Sequence, residues 1–176
     1  DSKLVRRWSD RHGFLQMIAG IDPGAKGAIA LLDYDHVEIF DMPMIGKEVN
    51  GIEIASIFGE FRPSHIFLEQ VNSFGMGRTS AYNFGQGVGV LKGVFQALMI
   101  PYTLVTPQKW QKHFGKSKDK DYSRQLASRL YPNQAAQFKR KMDDGRAEAL
   151  LIARYGSEKK WTVLKCMALN TQALAK

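Results

Sequence analysis

The chain has 176 residues, with 25 Lys or Arg against 17 Asp or Glu, a formal net charge of +8 and one cysteine, Cys166. Such a length forms one domain with a full core and excludes a second of similar size, while a lone cysteine excludes an internal disulfide framework and fits a reducing compartment. Lys92 breaks the longest apolar run, VGVLKGVFQALMI, well short of the roughly 20 residues of a membrane helix, so a soluble protein is expected. The charge is concentrated, because residues 101–147 hold eleven Lys or Arg against four Asp. A local excess of this kind favours a polyanionic partner, most often nucleic acid, although solvated basic faces occur on many proteins.

Residues 1–16, DSKLVRRWSDRHGFLQ, are polar and Arg-bearing and lack the apolar centre of a secretory signal. They read as a flexible extension, whether a targeting remnant, an appended segment or a basic arm. The domain is expected over 17–156, with a polar tail over 157–176. Residues 17–22 and 27–33 are apolar, strand-forming runs joined by a Pro-Gly turn, and His36 to Asp41 supplies a third strand, giving an antiparallel meander. Asn50 is placed to cap a helix with Ile52, Ile54, Ile57 and Phe58 on one face, ending before Pro63. Ser64 to Glu69 reads as a short buried strand. Ala81 to Leu98 has helical spacing but carries Gly85, Gly87, Gly89 and Gly93. Each costs on the order of 1 kcal/mol relative to Ala, so a close backbone approach is expected there. Tyr102 to Val105 reads as a strand, Pro107 to Phe114 and Asp121 to Leu130 as helices, and Asp144 to Tyr155 as a final helix. Three strands, helix, strand, helix, strand, helices predict an α/β fold, a mixed sheet flanked by helices.

The chemistry lies in carboxylates carried by separate segments. Asp22 closes the first strand, where a bend before Pro-Gly explains it as well as a ligand role does. Glu69 ends IFLE in a strand that should be central, where an unpaired carboxylate is costly. Asp144 and Glu148 are four apart and share a helix face, although capping and a favourable first-turn acid account for either one singly. Asp143, about 100° around the helix from Asp144, should point away. Two neighbouring strands and a helix can bring these groups to one point. Two divalent cations about 4 Å apart would then hold a scissile phosphate, activate water and stabilise the leaving 3′ oxygen. Hard oxygen donors suit Mg²⁺, with Mn²⁺ as a substitute.

The motifs IDPG, FLEQV, YNFGQGVGVLKG, VTPQKWQKHFG and above all FKRKMDDGRAEALLIARYG resemble those of RuvC-type Holliday junction resolvases, in particular the phage and monokaryotic-chloroplast branches. The likeness runs from Ile18 to about Gly156. It implies a ribonuclease H-like fold, a homodimer, and paired symmetric nicks in a four-way DNA junction that leave 5′-phosphate and 3′-hydroxyl ends. It carries the catalytic and metal-ligating positions onto Asp22, Glu69, Asp144 and Glu148. Relatives vary in the late pair, some with ligands three apart and some with histidine where Asp144 stands, so Asp143 stays open as a substitute. The branches imply either the cytoplasm of a bacterial or phage-infected cell or a chloroplast nucleoid.

For DNA binding, Phe74, Arg78 and Tyr82 in and after the loop following Glu69 can stack on or hold unpaired bases. An anchoring role for Phe74 fits equally. Lys109, Lys112, Lys116, Lys118, Lys139, Arg140, Lys141 and Arg146 are candidate phosphate contacts, with His113 either a contact or a packing residue. A sugar kinase or actin-like ATPase shares the Asp-x-Gly turn but needs two domains. A non-catalytic junction-binding protein would share the charge without requiring Glu69, and a less selective nuclease would share the carboxylates.

Overall fold

The computed structural model describes residues 17–34, 36–71, 75–115 and 119–174, with side chains to residue 159. Three apolar runs form the expected meander: β1 (Ile18–Asp22), β2 (Ala28–Asp33) and β3 (His36–Asp41), paired antiparallel. A small hairpin follows, β4 (Met44–Ile45) and β5 (Glu48–Val49), then helix α1 (Gly51–Phe61). Strand β6 (His65–Glu69) returns parallel to β1, helix α2 (Arg78–Ala97) crosses over, and β7 (Tyr102–Val105) lies parallel to β6. The main sheet therefore runs β3-β2-β1-β6-β7. Beyond it come α3 (Pro107–His113), α4 (Tyr122–Leu130), two 3-10 turns (Pro132–Phe138 and Lys141–Asp143) and the long α5 (Asp144–Leu174). The fold is α/β, a five-stranded mixed sheet flanked by helices.

Strand alternation sends successive residues to opposite faces, so each face has its own core. Ala19 and Ile21 pack with Ile54, Phe58, Leu91 and Phe95 of α1 and α2. Ile18 and Phe67 pack on the other face with Trp110, Leu126, Phe138 and the small and aliphatic residues of α5.

Three local expectations differ from the structure. Ile52 is 83% exposed, while Ile54, Ile57 and Phe58 are buried, because two helical positions separate Ile52 from Ile54 by about 200°. Of the α2 glycines only Gly87 is closely approached, a Cβ there standing 2.8 Å from Val49 Cγ2. Gly85, Gly89 and Gly93 face open space. The last helix does not stop near Tyr155 but runs to Leu174, since past Gly156 neither Gly nor Pro interrupts a run rich in Lys, Leu and Ala.

Small residues bring α5 against the sheet. A Cβ on Gly20 would lie 2.2 Å from Ala153 N and 2.3 Å from Ala149 O. One on Gly145 would lie 2.4 Å from Lys26 O, and one on Gly156 2.2 Å from the Phe67 ring. Gly145, Ala149, Ala153 and Gly156 thus form one stripe at helical spacing, set on β1, the β1–β2 turn and β6. Gly20→Ala is expected to cost roughly 1–3 kcal/mol, because both neighbours are backbone atoms and not movable side-chain ends. Gly59→Ala, where nothing lies within 4 Å, should be neutral or stabilising by up to ~1 kcal/mol. Urea unfolding of the two variants measures the difference, and equal stability would refute the docking account.

Candidate active site

Asp22 and Glu69 are the last residues of β1 and β6, one step beyond the Ile21–Leu68 pair of parallel neighbours. They stand side by side at the C-terminal ends of adjacent strands, where open α/β sheets place their ligands. Alternation turns both toward the face that α5 covers, since Ile18, Gly20, Phe67 and their partners lie there.

Asp22 Oδ1 accepts a hydrogen bond from Gly24 N at 3.2 Å, yet burial holds its pKa above the ordinary value. Glu69 is buried, and Trp110 Nε1 donates to its Oε1 at 2.8 Å. Burial pushes the Glu69 carboxyl up to about 7, with the Trp110 bond opposing and the negative charge of Asp22 reinforcing. Glu148, one turn into α5, is also pushed up to about 7, by burial first and then by the charges of Asp22, Glu69 and Asp144. The Ser123 hydroxyl, donating to Oε1 at 3.4 Å, works weakly the other way. Glu148 therefore feels the other three carboxylates together.

The adjacent pair at the start of α5 divides. Asp143 is buried, its Oδ2 accepting from Arg140 N at 2.8 Å and its Oδ1 from Arg140 Nη2 at 2.8 Å, with Arg146 Nη1 at 3.9 Å. The Arg140 guanidinium holds it below the usual carboxylate range. Asp144 is 44% exposed and accepts from Arg124 Nε at 2.7 Å. Asp144 contributes to the field at Glu148, and Asp143 is not among the charges acting there. No three described carboxylate, histidine or cysteine groups close into a coordination shell.

Lys109 and Lys112 lie exposed on α3, beside Trp110, and Lys139, Arg140 and Lys141 are exposed just before α5. Arg140 is engaged with Asp143. Arg146 makes a fork to Asp41, Nε–Oδ1 2.6 Å and Nη2–Oδ2 2.5 Å, tying α5 to the end of β3. His113 Nε2 meets Glu158 Oε2 at 2.5 Å, and its ring packs on Phe114 and Tyr155, so it joins α3 to α5. Arg78 and Tyr82 are exposed on the first turns of α2. Phe74, Lys116 and Lys118 fall outside the described residues. Sequence reasoning missed Trp110, Ser123 and Arg124. For Trp110 a signal existed, since a buried indole N–H seeks an acceptor, and the acidic strand end was the available one.

Among the described residues no helix is long and apolar enough to cross a membrane. No protein-family model matches the chain, and no curated protein matches it. Solved structures do. Thermus thermophilus RuvC in complex with a Holliday junction substrate superposes with a TM-score of 0.58 at 18% identity, covering 82% of this chain and 96% of that one. A second Thermus thermophilus RuvC structure gives 0.53 at 19% identity, with 80% and 97% covered. The yeast mitochondrial Holliday junction resolvase Ydc2 gives 0.54 at 17%, with 86% and 82% covered. The fold is that of the RuvC resolvases. Its ribonuclease H-like sheet, with helices on both faces, is the arrangement on which the four carboxylates of this chain are mounted.

The raised carboxyls make stability pH-dependent in a definite direction. With unfolded values near 4.5 and folded values near 7 for Glu69 and Glu148, the folded state holds protons that the unfolded state has released across that window. Stability in metal-free buffer should fall as pH rises from about 4.5 to 7 and level off above. Glu148→Gln should flatten the profile and raise Tm at pH 8 by a few degrees, each kcal/mol being worth roughly 2–4 °C at this size. Calorimetry from pH 4.5 to 8.5 in chelator tests this. A wild-type profile parallel to that of the variant would refute it.

Proposed function

We propose that this protein is a RuvC-type endonuclease that resolves four-way DNA junctions as a homodimer, by paired symmetric metal-dependent nicks. The observation that carries the reading is that Asp22 and Glu69 end adjacent parallel strands and both act electrostatically on Glu148, each of the three with its pKa raised. One buried and two half-buried carboxylates close enough to act on one another form a site short of positive charge. Their hard oxygens fit Mg²⁺ or Mn²⁺, and Asp22, Glu69, Asp144 and Glu148 would hold two such ions. When bound, the ions supply Lewis-acid stabilisation of the phosphate and lower the pKa of water.

The chain's own groups do the rest. Trp110 fixes the Glu69 carboxylate by donating to Oε1, leaving the other oxygen for a cation. Ser123 and Arg124 orient Glu148 and Asp144 from the neighbouring helix. Attack of water on phosphorus with loss of the 3′ oxygen leaves a 5′-phosphate and a 3′-hydroxyl. The exposed lysines at 109, 112, 139 and 141 supply backbone contacts that position the strand without reading its sequence. Two-fold symmetry of a dimer matches two incisions in opposing strands, and the open α2 face at Gly85, Gly89 and Gly93 suits close approach by a second copy.

Cleavage mapping on a synthetic four-way junction, beside duplex, flap and RNA/DNA hybrid controls, tests the reading. Asp22→Asn, Glu69→Gln and Glu148→Gln should each lower single-turnover nicking at least ~100-fold while junction binding persists. Binding without nicking by the wild type in Mg²⁺ would mark a non-catalytic binder. Equal cleavage of all four substrates would mark a less selective nuclease.

The two adjacent aspartates should separate in the same assay. Asp144→Asn is expected to remove activity with little change in stability, and Asp143→Asn to cost roughly 1–3 kcal/mol of stability while the folded fraction stays active. A folded but inactive Asp143 variant beside an active Asp144 variant would reverse the assignment.

A further inference from the structure

Helix α4 is amphipathic, with Leu126 and Ala127 buried. Its polar face carries Arg124, Gln125, Ser128 and Arg129, which with Phe138 and Lys139 of the following segment line an open groove of about 540 Å³. Three cations line this groove against one acid, Asp121. Arg124 is already committed: it pairs with Asp121 and Asp144 and donates from Nη1 to Lys139 O at 3.3 Å. Arg129 and Lys139 are exposed and make no ion pair among the described residues, so the groove presents positive charge that the protein does not neutralise. It is also joined to the carboxylates by a single side chain, because the Arg124 that lines it holds Asp144, and the preceding Ser123 donates to Glu148.

We infer that this α4 groove is a phosphate-binding site for the backbone of the DNA strand that enters the active site, with Arg129 and Lys139 as the contacting cations. This rests on the nuclease reading above. The chemistry favours a nucleic-acid backbone over a small ligand. The groove is open to solvent and its lining aromatic, Phe138, is buried, so it offers no platform for a base. Ser128 and Gln125 add neutral donors of the kind that hold phosphate and sugar oxygens. Binding is therefore independent of sequence. A strand held here is also held next to Asp144, which makes the groove a means of aligning the scissile bond with the carboxylates.

The test is junction binding by Arg129→Ala/Lys139→Ala, measured in Ca²⁺ across 50–300 mM salt. Lys47→Ala/Arg62→Ala, which removes equal charge from the hairpin and the end of α1, serves as control. The groove variant should weaken binding about tenfold or more and reduce the salt slope by about one per side chain removed. Arg129→Lys/Lys139→Arg should restore both, which separates lost charge from a folding defect. Wild-type affinity and slope in the groove variant would overturn the inference while leaving the nuclease reading intact. An equal loss in the control would overturn it as well, by assigning the effect to net charge. A wild-type protein that neither binds nor cuts junctions would remove the nuclease reading, and the groove's role with it.

Discussion

The site depends on how near α5 comes to β1. At Gly20 the helix backbone occupies the space a side chain would take, with Ala153 N and Ala149 O within 2.3 Å of an added Cβ. At Gly145 the same holds against the β1–β2 turn. These contacts fix the helix in translation along β1 and in rotation about its own axis. Glu148, three residues after Gly145 and one before Ala149, is then forced to the strand ends. An ordinary helix-on-sheet spacing, set by Leu or Ile, would move its carboxylate outward and away from Asp22 and Glu69.

That closeness has an electrostatic cost. Burial raises Asp22, Glu69 and Glu148, and the charges of neighbouring carboxylates add to it at Glu69 and Glu148, so the arrangement opposes folding at neutral pH. The surrounding structure offsets part of this with oriented donors: the Trp110 indole on Glu69, the Ser123 hydroxyl on Glu148 and the Gly24 amide on Asp22. None of these neutralises a full charge. A site balanced in this way gains most from a cation, which follows from the same energetics that push the carboxyls toward neutrality.

The strand pattern was legible because apolar runs of four to six residues bounded by turn residues have few other readings, and β1, β2, β3, β6 and β7 fall where those runs fall. Glu69 was legible for the related reason that a carboxylate ending a buried run must be compensated. Gly20 was not, because its meaning lies in Ala149 and Ala153, far along the chain, and a glycine within a strand shows nothing of what approaches it. The hairpin at 44–49 was missed because two-residue strands carry no periodicity. Close packing along α2 occurs only at Gly87, and there the neighbour is the Val49 side chain of that hairpin and not the backbone that was expected. Asp143 and Asp144 look alike in sequence. Their difference comes from Arg140, whose backbone and side chain both bind Asp143, and no local propensity encodes that choice.

The basic residues divide by chemistry as well as by place. Arg124, Arg140, Arg146 and Arg154 each bind an acid of the same chain, joining α4 to α5, the 3-10 turn to itself, α5 to β3, and one turn of α5 to the next. A guanidinium fork suits this work because it can satisfy two acceptors in fixed geometry. The exposed cations around the site are mainly lysines, at 109, 112, 139 and 141. An ammonium on a flexible stem makes point-charge contacts that adapt to a backbone and ignore sequence. The net charge of +8 therefore overstates neither role. These four arginines spend their charge on architecture that holds Asp144 and the helix in place, and the exposed lysines, with Arg129, leave a field directed outward. Under the nuclease reading, geometry at the carboxylates and affinity for the strand are set by different residues, so each can be altered while the other is kept.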